Sequence, residues 1–70
     1  MEPTKAQIER VTRDYGQICK ETVKVKFIKG AMYVFGSELA CLRLHYKMTT
    51  GRVGYSENLS NWYYSKEIIN

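Results

Sequence analysis

Seventy residues with a net charge of +4, 44% hydrophobic and 13% aromatic content describe one small folded domain over residues 1–70, not a disordered tail. A chain this short buries only about 60% of its unfolded surface and usually needs disulfides, a metal or oligomerisation. Cys19 and Cys41 are the only cysteines, with no C-x-x-C pair and a single histidine, which argues against a disulfide framework or a four-ligand zinc site.

That pattern reads as two buried thiols in a reducing, cytoplasmic compartment, with a homodimer as the remaining source of buried area. The opening MEPTKAQIER has no apolar core and reads as no secretory leader. No run approaches the ~20 apolar residues of a membrane span, so no membrane partner is expected.

In chain order, Thr4 followed by Gln7 is a capping box that starts a helix, and Ile8, Val11, Tyr15 and Ile18 recur at helical spacing. Gly16 weakens the helix, so its end falls between Tyr15 and Lys20. Thr22 to Ile28 alternates as a strand, with Val23, Val25 and Phe27 on one side and Thr22, Lys24, Lys26 and Ile28 on the other. Lys29-Gly30 makes a tight turn into a return strand, Ala31 to Phe35.

The segment SELACLRLHYKM supports two periods. As a helix, Ser37 is the N-cap and Leu39, Leu42 and Tyr46 share a face; as a strand, Leu42, Leu44, Tyr46 and Met48 alternate with Arg43, His45 and Lys47. A strand of this length without Val, Ile or Thr would be unusual, so residues 37–48 are taken as helix. Thr49-Thr50-Gly51 breaks it. Arg52–Ser56 and Trp62–Ile68 form a second hairpin, in which Val53 and Tyr55 face Trp62 and Tyr64. The expected fold is α+β: two layers in the order helix, hairpin, helix, hairpin, with a four-stranded, mainly antiparallel sheet and both helices on one face.

Chemistry-bearing motifs are scarce. Cys41 and His45 share a helix face, but nothing supplies further metal ligands or an oxyanion hole, so a packed thiol beside a solvent-facing histidine is expected. No two carboxylates have acid/base spacing and the glycines are isolated, so neither an enzyme nor a cofactor is expected.

The open sheet face is more informative. Lys24 and Lys26 point out of it, joined by Ala31, Tyr33 and Phe35 or else by Met32 and Val34. The second hairpin adds Arg52 and either Tyr63 or the Trp62/Tyr64 pair. A face of Lys24, Lys26, Tyr33, Arg52 and Tyr63 offers ammonium and guanidinium groups for phosphates and rings for bases, which suits single-stranded nucleic acid. The alternative is a protein–protein module, an inhibitor or adaptor of the phage or plasmid type. It would engage an acidic protein through Tyr55, Trp62, Tyr63 and Tyr64, residue types enriched at interfaces.

Overall fold

A computed structural model describes residues 3–68; Met1, Glu2, Ile69 and Asn70 lie outside it, and with them the first two residues of the MEPTKAQIER opening. The chain runs α1 (Lys5–Cys19), β1 (Lys24–Ile28), β2 (Ala31–Gly36), α2 (Glu38–Met48), β3 (Arg52–Ser56) and β4 (Asn61–Glu67). The fold is of the α+β class: two helices with one four-stranded sheet of order β1-β2-β4-β3, every neighbouring pair antiparallel. Among the described residues no helix is long and apolar enough to cross a membrane.

Local chemistry starts each element. The capping box is formed: the Gln7 backbone N–H donates to Thr4 Oγ1 at 3.2 Å and the Thr4 N–H donates to Gln7 Oε1 at 2.8 Å. Helix α1 continues past Gly16 to Cys19 and ends on Lys20 in the left-handed conformation, whose N–H returns to the Gly16 carbonyl. The ambiguous segment is a helix. Ser37 caps it by accepting from the Ala40 N–H at 3.1 Å, and Glu38 in its first turn complements the helix dipole. Lys29 and Gly30, both at positive φ, form the two-residue connection between β1 and β2, as primed turns require.

The strands begin and end close to where alternation places them. β1 is formed from Lys24, with Thr22 and Val23 preceding it; β2 extends one residue to Gly36, and β4 spans Asn61–Glu67, not Trp62–Ile68.

The register decides which side chains meet. Val25 lies opposite Val34, Val34 opposite Tyr64, and Tyr64 opposite Val53, a continuous apolar row across all four strands. Val23, Val25, Met32, Val34 and Tyr64 are buried and form one cluster with Cys19 of α1 and Ala40, Cys41 and Leu44 of α2. Both thiols are free and buried.

Tyr64 is 0% exposed, and its hydroxyl donates to the Thr50 carbonyl at 2.8 Å. That bond satisfies the one polar atom of a ring otherwise committed to the core. Gly51 stands beside it at φ +90°, where a Cβ would come within 2.5 Å of the Ser65 carbonyl and 2.8 Å of the Tyr64 hydroxyl. No side chain fits there.

A second set of bonds joins the helix ends. The Glu21 carboxylate accepts from the Ser37 hydroxyl at 2.6 Å and from the Ser37 N–H at 3.2 Å, and so sits at the N-terminus of α2. Reciprocally, Arg43 of α2 donates from Nη1 to the Cys19 carbonyl at 2.7 Å, placing a cation at the C-terminus of α1. Each charge opposes the partial charge of the helix end it meets. The last turn of α1 has no basic residue of its own, so Arg43 supplies what α1 lacks.

Two outcomes follow for stability. The Ser37 hydroxyl and then the Ser37 N–H hold the Glu21 carboxyl below its usual range, with Arg43 adding to the effect. A carboxyl lowered on folding contributes stability that is full above the unfolded pKa and lost as pH falls through the folded one. Glu21→Gln should therefore cost about 1 kcal/mol at pH 7, reduced by solvent screening, and flatten the loss of urea stability below pH ~4.5. Gly51→Ala should cost more, about 2–4 kcal/mol, because both the left-handed backbone and the space are lost; urea unfolding followed by circular dichroism measures both.

Candidate nucleic-acid interface

Strand parity sorts the aromatic and basic residues onto two sides of the sheet. On the side opposite the buried row, Lys24 pairs with Phe35, Phe35 with Tyr63 and Tyr63 with Gly54. The next row on that side runs Lys26, Tyr33, Ser65, Arg52. Lys24, Lys26 and Arg52 are exposed, and their cross-strand neighbours Phe35, Tyr33 and Ser65 are not acidic. Glu67, on the same side, lies one row beyond, opposite Ala31.

Three rings form the floor between these cations. Tyr33 and Phe35, two apart on β2, have centroids 6.2 Å apart and planes within 13°. Tyr63 lies 5.7 Å from Tyr33 and 6.5 Å from Phe35, tilted to them by 59° and 62°. All three are half-buried. At about 4.8 Å per strand, the lysines of β1 stand roughly 14 Å from Arg52 on β3, with the rings between. At about 3.3 Å per residue, Lys24 and Lys26 are separated by roughly 6.6 Å along the edge.

Of the eight residues read from the sequence, five are thus gathered on this face: Lys24, Lys26, Tyr33, Arg52 and Tyr63. The other three are not. Tyr64 is fully buried and bonded to Thr50, so it is unavailable to any partner. Trp62 lies on the same inner side, opposite Gly36, half-buried and packed against the core; Tyr55 meets it edge-on at 5.5 Å and is 50% exposed. The expected aromatic surface of Tyr55, Trp62, Tyr63 and Tyr64 is therefore divided by the sheet. Phe35, the i+2 companion of Tyr33 on β2, joins the floor by simple strand parity.

Cys41 and His45 lie one turn apart on α2. Burial, then the neighbouring Cys19 sulfur, pushes the Cys41 thiol up to about 11, although the Gly36 N–H opposes the shift. Cys19, whose Sγ donates to the Ala40 carbonyl at 3.5 Å, is also raised by burial. His45 is not the solvent-facing side chain expected. It is half-buried, and its Nδ1 is buried with no hydrogen-bond partner among the described residues. Among those residues no group of three or more His, Cys, Asp or Glu side chains is placed to hold a metal ion.

Comparison with family models, with curated proteins and with solved structures returned no match.

A thiol of this kind stays protonated at pH 8 and is shielded as well. Native protein should leave both cysteines unlabelled by a thiol-reactive disulfide reagent at pH 8 for as long as the fold persists. Two equivalents should react at once in denaturant, read by absorbance.

Proposed function

We propose that this chain is a non-enzymatic binding domain that holds single-stranded nucleic acid on the outer face of its sheet. On this proposal both helices, in the order helix, hairpin, helix, hairpin, cover the buried side of the sheet, and the opposite side receives the ligand. The observation that carries it is the ring trio of Tyr33, Phe35 and Tyr63, flanked by exposed cations on both edges of the sheet.

The division of labour follows from the chemistry. Ammonium and guanidinium groups attract phosphates without regard to sequence, while ring faces accept any unpaired base. A duplex keeps its base faces stacked inside, so it gains only the phosphate part. The net charge of +4 supports the encounter. Base edges have few fixed donors or acceptors to meet on this face, where Ser65 is the polar neighbour in the central rows. Weak sequence preference is the corollary.

Trp62 is on the inner side of the sheet, so anisotropy of a labelled oligonucleotide is a better reporter than tryptophan fluorescence. A mixed-sequence single strand should bind at least tenfold more tightly than the matching duplex. With three phosphate contacts, a log–log salt slope near −2 is expected, or roughly a 15-fold loss between 50 and 200 mM salt. Lys24→Glu with Lys26→Glu should abolish binding and leave the unfolding midpoint nearly unchanged, since both side chains are exposed. Tyr33→Ala should cost about 1–3 kcal/mol of binding. Single strand and duplex bound alike would remove the stacking role. A protein indifferent to both at 100 µM ligand would return the surface to the protein-partner alternative.

A further inference from the structure

The ring of Tyr63 does not stand up from the sheet as a strand side chain ordinarily does; it leans over the neighbouring strand. A Cβ built on Gly54, its cross-strand partner, would lie 2.5 Å from the Tyr63 hydroxyl oxygen, 2.7 Å from Cζ and 3.1 Å from Cε2. The far end of the ring therefore occupies the space that any other residue at position 54 would fill. Gly54 is the one glycine inside β3, in a position where glycine weakens a strand and otherwise has no purpose. Its backbone is not at positive φ, so conformation does not require it. Space does.

We propose that Gly54 is a positioning residue for the nucleic-acid face: its bare backbone is the seat on which the Tyr63 ring reclines, setting that ring at its tilt to Tyr33 and Phe35. This rests on the single-strand reading above. A glycine covered by a cross-strand aromatic is also a known way to stabilise a sheet, and the two roles make different demands. If the seat matters for binding, its loss must weaken the ligand's hold beyond any effect on the fold.

The atoms that would collide decide how the structure responds to a methyl group. At Gly51 the obstruction is the Ser65 backbone, which cannot yield. At Gly54 the three nearest atoms all belong to the outer end of one half-buried side chain, which can rotate away toward solvent. Gly54→Ala therefore evicts a ring and leaves the sheet standing. The displaced Tyr63 then loses its packed underside, and its outward face no longer lies at a fixed angle beside Tyr33. A stacked base loses one of its platforms.

The test has two arms. The first reads geometry without any ligand: the Tyr63 ring should shift the Gly54 Hα protons strongly upfield in the NMR spectrum, and Tyr63→Leu should return them to ordinary values. Unshifted protons in the wild type would overturn the seat itself. The second reads binding of a labelled mixed-sequence single-stranded oligonucleotide. Gly54→Ala should weaken it roughly five- to tenfold, as loss of one stacked base does, with the unfolding midpoint recorded alongside.

Tyr63→Ala should weaken it by a similar factor, and the double variant by no more than Tyr63→Ala alone, because both changes remove the same platform. Gly54→Ala binding as the wild type does, or the two losses multiplying, would overturn the proposal. Should Gly54→Ala prove too unstable to assay, Gly54→Ser with Tyr63→Leu, which frees the space, must recover the fold and bind as Tyr63→Leu does. Failure of the wild type to bind any oligonucleotide, with the Hα shift intact, defeats the functional reading and leaves the seat in place.

Discussion

The outward face is a consequence of one buried tyrosine. Tyr64 fills the centre of the sheet between Val34 and Val53, and its hydroxyl donates to the Thr50 carbonyl in the connection just before β3. Side chains alternate with a period of two, so holding Tyr64 inside obliges Tyr63 to lie outside. The same pairing puts Phe35 opposite Tyr63 and Lys24 opposite Phe35. A slip of one residue would carry Tyr64 into water, away from its Thr50 acceptor, and bring Asn61, Tyr63, Ser65 and Glu67 to the core side. The polar tip of Tyr64 thus fixes a register that an all-apolar residue would fix less strictly.

The two helices are held to each other by more than apolar contact. Glu21 and Arg43 cross between the end of α1 and the start of α2, each meeting the opposite pole of the neighbouring helix. In a domain without a disulfide among its described residues, these bonds restrain the segment that leads from α1 into β1. Val23 and Val25 follow directly and are buried, so the orientation of the lysines between and beyond them depends on that anchorage.

Much of this was legible in the residues themselves. Val23, Val25 and Phe27 alternating with lysines fixed the parity of β1 without ambiguity, and Thr4 with Gln7 marked the start of α1. The run NWYYSKE did not declare its inner side, because tryptophan, two tyrosines and polar residues follow one another with no apolar alternation. A tyrosine reads as equally suited to surface and core, and only the Thr50 carbonyl distinguishes Tyr64 from Tyr63. The Glu21–Ser37 and Arg43–Cys19 bonds join residues 16 and 24 apart, beyond the reach of any local pattern. Gly54 carries no local signal of its own; its neighbour Tyr63 is nine residues away in sequence and meets it only across the sheet.

The strand order has a further consequence for how the molecule is made. β3 touches the sheet only through β4, and β4 is the last strand along the described chain. During synthesis β1 and β2 can pair early, but β3 has no neighbour until β4 has left the ribosome and inserted between it and β2. Arg52 and Gly54 thus come to lie beside the rings in the same event that closes the core, so a chain halted before residue 61 would lack Tyr63 and leave Gly54 unpaired outside the sheet.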